Sequence, residues 1–247
     1  MSTDTAMVPV NIDVQLPSTQ LGSDDVFAEL AQGGDYLGRM QLYTKGKAVN
    51  KAQILPGHYG IPESNDNILD LGMTVHLLPL ARRPKAIDMT DTEALVISYD
   101  VASDEFQRIR TAADQPESHC QYGPSFLVYE PGTNRFLEFF CGNKSNRIEA
   151  KKIYPFLPLT QADIDAKAAA GNDVSGLVPH GPIPLTLTVQ VAENKRGSWH
   201  VPVVNAAAFP LKRIPPTDAI VREIVKFLSV KDNGVEKVNE AAQGRAR

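Results

Sequence analysis

Residues 122–152 read YGPSFLVYEPGTNRFLEFFCGNKSNRIEAKK, and three local patterns follow one another within them. Residues 125–130 and 135–141 are rich in β-branched and aromatic side chains. Pro131, Gly132, Thr133 and Asn134 between them adopt turn dihedrals at little cost. The pattern predicts an aromatic hairpin with a four-residue connection. Residues 142–147 then form a polar loop, and Asn146 with Glu149 three residues on fits a helix N-cap and its reciprocal partner. That helix carries Arg147, Lys151 and Lys152, and Pro155 stops it.

Short strands recur on both sides of this stretch. Residues 36–44, YLGRMQLYT, alternate as a strand with Tyr36, Met40 and Leu42 toward a core and Leu37, Arg39, Gln41 and Tyr43 away from it. Lys45-Gly46-Lys47 turns the chain, and residues 51–62, with Pro56-Gly57, read as loop and short strand. The apolar run 68–80 reads as strand leading into a basic turn at residues 81–85, ARRPK. Residues 94–99 form a compact strand, and Ser103 caps a helix over residues 104–113 that Gln115-Pro116 ends. Thr160 caps a second short helix through Ala170, with Asp163 at the capping-box position and Gly171 as the stop. After a linker-like loop at 171–184, residues 185–191 alternate Leu/Val with Thr/Gln and turn back into residues 198–204. Behind Pro215-Pro216, Thr217 caps a helix with Ile220, Val221, Ile224, Val225, Phe227 and Leu228 at helical spacing.

These elements predict a mainly β, α+β protein: an antiparallel OB-like barrel built from hairpins, with short peripheral helices and a C-terminal amphipathic helix. The expected division is an acidic, partly ordered N-terminal arm at 1–33, a barrel domain at 34–214, and a helix with a frayed tail at 215–247. A length of 247 residues, 43% hydrophobic and 22% charged, suits a globular protein, and 18 prolines favour short strands over long helices. The net charge is −4, yet residues 1–38 hold six acidic residues and no Lys or Arg, which leaves the remainder at +2. Distribution therefore matters more than the sum. Two cysteines are too few for a disulfide framework, no secretory signal opens the chain, and no apolar run approaches a membrane span. The expectation is a soluble cytoplasmic protein without a membrane partner.

Three kinds of chemistry compete. His119-Cys120 and Cys141 flank the hairpin, but no Cys-x-x-Cys pair and no second nearby His completes a metal set, so the cysteines read as buried thiols. Glu149-Ala150-Lys151 has the Glu-x-Lys spacing of metal-dependent nucleases, although it lies in a predicted helix rather than a strand. No Gly-x-Ser-x-Gly, phosphate-cradling loop or His-Glu-x-x-His occurs. No catalytic residue, metal or cofactor is assigned, and the chain is not read as an enzyme. Single-strand nucleic-acid binding asks instead for aromatic faces beside a basic track on a curved sheet. In the strand from Arg135, Leu137 and Phe139 occupy one face and Phe136 and Phe140 the other, so unless a helix covers that second face, some of Tyr129, Phe136 and Phe140 are expected to be exposed beside Lys144 and Arg147, with Lys151 further along the basic helix. The juxtaposition recurs at Tyr43 with Arg39, Lys45 and Lys47 and at Trp199 with Lys195 and Arg196, and the basic turn at Arg82, Arg83 and Lys85 adds cations for a nucleic-acid backbone. Two rings and four cations suffice for salt-sensitive affinity, since stacking is worth roughly 1 to 3 kcal/mol per ring and each phosphate contact adds about −0.7 to the salt slope.

At ILDLGMTVHLLPLARRPKAIDM, and again at residues 122–152, the chain resembles uncharacterised proteins of tailed bacteriophages, and its layout is similar to that of phage OB-fold single-stranded-DNA-binding proteins. The resemblance spans roughly residues 36–204. It implies DNA replication or recombination in the host cytoplasm, with single-stranded DNA and replication or recombination proteins as partners; the C-terminal apolar helix is then expected to cap the barrel or to make a homodimer. Such proteins often end in an acidic tail, whereas this chain ends in Gly-Arg-Ala-Arg and is acidic at its N-terminus. The rival expectations are a virion structural or assembly protein, using the C-terminal apolar helix as an interface, and a metal-dependent nuclease using Glu149 and Lys151.

Overall fold

The computed structural model describes residues 37–45, 47–51, 53–64, 67–91, 94–115, 118–194, 197–205, 218–230 and 236–237. The N-terminal arm, the Thr217 cap, Lys195, Arg196 and the tail beyond Lys237 lie outside them. The elements are β1 (Gly38–Tyr43), α1 (Lys47–Asn50), β2 (His58–Pro62), β3 (Ile68–Gly72), β4 (Val75–Asp88), β5 (Ala94–Ser98), α2 (Asp104–Ala113), β6 (Cys120–Glu130) and β7 (Arg135–Phe140). They continue with α3 (Lys144–Ala150), a 3-10 turn (Lys151–Phe156), α4 (Gln161–Ala169), β8 (Leu185–Asn194), β9 (Gly197–Asn205), α5 (Asp218–Ser229) and β10 (Glu236–Lys237).

Local signals place most of these elements. The hairpin β6–β7 turns at Pro131–Asn134, where Asn134 takes a positive φ of 56°. The turn is held by Glu130, whose carboxylate accepts the backbone N–H groups of Gly132 and Thr133 and the Thr133 hydroxyl. Ser103 accepts the Phe106 N–H at the start of α2, and Thr160 with Asp163 forms a complete capping box on α4. One cap is shifted: α3 starts behind Asn143, whose side chain accepts the N–H of Asn146. Asn146 is the donor at the third helical position, because Asn143 is the residue with the extended backbone a cap requires.

Strand pairing joins the elements into a strongly curled, half-barrel sheet, so the protein is mainly β with a few short helices. The strand order is β10-β5-β4-β6-β7-β1-β2-β3, with β8 also on β4 and β9 on β8. The sheet is not wholly antiparallel. β1 lies parallel to β7, matching Gly38, Arg39 and Met40 with Leu137, Glu138 and Phe139, a long-range pairing that hairpin reading does not supply.

β4 is the spine, and it corrects the expected basic turn at residues 81–85. Those residues lie in the middle of a continuous 14-residue strand paired with β6. Its other edge holds β8 at residues 75–77 and β5 at residues 86–88. Between them no described strand takes that edge. Pro84 faces Pro124 across the β4–β6 ladder; neither ring can donate there, and the missing Pro84 N–H falls on the unpaired edge at no cost in ladder hydrogen bonds. Pro84 therefore marks an edge rather than a turn.

The concave side is filled by Met40, Tyr59, Ile61, Leu77, Phe126, Val128, Phe139 and Leu187, and Ile153 and Phe156 of the 3-10 turn close it. Burying each of the large side chains is worth roughly 1.5 to 3 kcal/mol. The Tyr59 hydroxyl donates to the Thr188 carbonyl at 3.0 Å, tying β2 to β8 across the curl. Tyr43, expected to point outward, is buried against Gly60 at the end of β1. A second cluster, on the convex side, joins Leu78, Leu80, Leu127 and Tyr129 to Phe227 of α5, and a third sits under α2.

Candidate functional site

The alternation of β6 and β7 divides the aromatic residues between two faces, and the convex face collects several of the expected binding residues. Arg39, Arg83 and Lys85 converge there on one carboxylate. Lys85 Nζ donates to Glu138 Oε2 at 2.6 Å, the Ser125 hydroxyl to Oε1 at 2.7 Å and Arg83 Nη2 to Oε1 at 3.3 Å, with Arg39 Nε 3.6 Å from Oε2. Glu138 is 5% exposed and Lys85 1% exposed. Burial pushes the Glu138 carboxyl up, but the Lys85 charge and hydrogen bond, with Ser125 and Arg39, hold it well below its usual range. Burial also lowers Lys85, and Arg39 and Arg83 add to that against the pull of Glu138. Both partners move down, Glu138 because the cations around it outweigh its burial, and Lys85 because burial, helped by the neighbouring guanidiniums, outweighs the pull of Glu138.

The guanidinium of Arg83 lies between two rings, 3.8 Å from the Tyr99 centroid and 4.1 Å from that of Phe227, and Nη1 donates to the Phe227 carbonyl at 2.7 Å. Arg83 thus fastens the last turn of α5 to the sheet. Beneath the helix, Tyr129 is 2% exposed, packs on Phe136 at 5.3 Å and donates its hydroxyl to Asn134. Tyr129 and Lys85 are core residues in this arrangement and present nothing to a ligand. Phe136 is partly buried beneath Ile224 and Phe227, and the Phe140 ring lies 5.5 Å from Lys85 Nζ. The cations on this face are Arg39, Arg83 and Lys85 rather than Lys144 and Arg147, and α5 with the buried Glu138 carboxylate takes up both rings and cations.

The opposite face of the same strands is different. Arg82 points there, exposed, its guanidinium 4.3 Å from the centroid of Tyr154. Further along β6, Arg147 lies 3.9 Å over Tyr122, with exposed Arg110 of α2 at 5.7 Å from the same ring. Lys144, Arg147, Lys151 and Tyr154 follow one another at steps of three and four residues, so α3 and the 3-10 turn carry them along one side. Lys144 and Lys151 are exposed. Arg147 is committed internally: it donates to the carbonyls of Tyr122 and Gly142, each at 3.0 Å, and pairs with Asp114 at 3.2 Å. Tyr122, Tyr154 and Arg110 were not singled out in the sequence. The step from Lys151 to Tyr154 was a usable signal for Tyr154; Tyr122 and Arg110 meet only through the packing of α2 on β6.

The remaining candidates are scattered. Lys45 is exposed at the end of β1, Trp199 is half-buried opposite Ala192 on β9, and the side chain of Lys47 is outside the described set, as are Lys195 and Arg196. Glu149 of α3 pairs with Lys152 of the 3-10 turn at 2.8 Å. Among the described residues no three His, Cys, Asp or Glu side chains gather as a metal ion would require, and Cys120 and Cys141 are buried thiols. No described helix is long and apolar enough to cross a membrane. No protein-family model matches the chain, and neither a curated protein nor a solved structure does.

Proposed function

We propose that this chain binds single-stranded DNA on an OB-like curled sheet, coating and protecting single strands in phage replication or recombination. One observation carries the reading: exposed Arg82 and Arg110 stand by the half-buried rings of Tyr154 and Tyr122 on the face of β4 and β6 that meets α3, and exposed Lys144 and Lys151 lie at helical spacing from Arg147. Arg82 and Tyr122 share a face and are four residues apart in register, since Arg82 pairs with Phe126. At about 3.3 Å per residue that separation is roughly 13 Å, the run of two or three nucleotides. Unpaired bases have faces to lay against such groups, and phosphates have cations to follow. A duplex, with its bases stacked inside, does not.

The test is a titration of labelled oligo-dT at two salt concentrations with a duplex control. Three or four phosphate contacts give a slope of log affinity against log salt of about −2 to −3. Retention of the single strand over the duplex with that slope supports the reading, and no retention even in dilute buffer overturns it. A structural or assembly role in a virus particle is the second reading, favoured by the exposed Val221, Val225 and Leu228 on α5; its signature is self-association that oligonucleotide leaves unchanged.

A further inference from the structure

The two arginine–tyrosine pairs of this face are built differently. Arg147 is fully engaged, its guanidinium pinned by two carbonyls and Asp114 above Tyr122. Arg82 stands outermost over Tyr154, and its guanidinium makes no ion pair or hydrogen bond among the described residues. Tyr154 is in turn set against Phe126 of the core, ring centroids 6.1 Å apart, so the support beneath Arg82 is rigid. A guanidinium held flat on a ring keeps its outer face for a second planar group and its edge donors for an acceptor. An unpaired base with its adjoining phosphate has both. We propose that Arg82 is the base-stacking platform of this surface, with Tyr154 as its positioning residue and an unpaired base of a single strand as the ligand, an inference that rests on the single-strand reading above.

Lysine separates stacking from charge. Arg82→Lys keeps the cation and removes the plane, whereas Arg82→Gln removes the charge. The probe is oligo-dT carrying one 2-aminopurine, read by affinity, salt slope and base fluorescence. Stacking energies imply that Arg82→Lys weakens binding by about 5- to 100-fold with an unchanged salt slope, and that Arg82→Gln also makes the slope shallower by about 0.7. Tyr154→Leu, which leaves Arg82 without its support, is expected to lose affinity as Arg82→Lys does and to relieve the quenching of 2-aminopurine. Arg82 is exposed, so its variants keep the fold. If the natural chain retains no oligonucleotide, the single-strand reading fails and this inference with it. If it retains oligo-dT and Arg82→Lys binds equally well, the stacking role alone is overturned.

Discussion

Glu138 shows how much one side chain can organise. It accepts from Lys85, Ser125 and Arg83 inside a sheet face covered by α5, and the same carboxylate compensates the charges of two nearly buried cations. Removing one partner of such a group is costlier than the group is stabilising, because the other charges stay buried. Glu138→Gln is expected to cost about 3 to 5 kcal/mol in denaturant unfolding. The acid limb of the stability curve follows from the depressed carboxyl. Its pKa falls from 4.5 to about 2 in the folded protein, so its contribution is complete above pH 4.5 and is lost as pH falls toward 2. The amount is about 3 kcal/mol, the equivalent of a proton affinity lowered by a few hundredfold on folding. The Asp88 carboxyl is also held below its usual range: burial pushes it up, and Thr90 and Arg108 hold it down more strongly. The difference between the acid limbs of the natural protein and Glu138→Gln isolates the Glu138 part, and parallel limbs would refute the assignment.

At the scale of elements, α5 and β4 behave in opposite ways. β4 is held by β6 from Leu78 to Asp88, whereas α5 touches the sheet through Phe227, Ile224 and the Arg83 bond to its last turn. Phe227→Ala is therefore expected to cost about 3 kcal/mol locally, and hydrogen exchange should show α5 amides losing protection while β4 and β6 keep theirs. Equal loss in all three would mean that α5 is part of one cooperative unit with the sheet. β4 carries the clearest limit on reading elements from local pattern. Arg-Arg-Pro-Lys has turn composition, and only the pairing of β4 with β8 and β5 at opposite ends of one edge shows why proline is harmless there. The capped helices α2 and α4 were legible because a cap is a matter of three or four consecutive residues.

At the scale of the molecule, the curl is closed by packing and by a polar tie, the Tyr59 hydroxyl on the Thr188 carbonyl. Tyr59→Phe keeps the ring in the core and removes that tie, with an expected loss of about 1 kcal/mol in equilibrium unfolding; an unchanged midpoint would assign the closure to apolar packing alone. The candidate site illustrates the same dependence on the whole. Arg82, Lys144, Arg147 and Lys151 were visible as basic residues, yet Tyr154 and Tyr122 join them only because α3 and α2 pack on the β4–β6 face.

By itself the amino-acid order determined the strands of the central hairpin, the caps of α2 and α4, the amphipathic character of α5 and the predominance of β structure. Each of these is set by neighbours within one or two turns of chain, where periodicity and side-chain to backbone hydrogen bonds act. Tertiary structure alone decided that β1 runs parallel to β7, that Pro84 sits on an unpaired edge, that Tyr129 and Lys85 are core, and that Arg82 rather than Arg147 keeps an open guanidinium. Those outcomes turn on which distant groups compete for the same ring, carboxylate or strand edge, and that competition exists only once the chain has closed on itself.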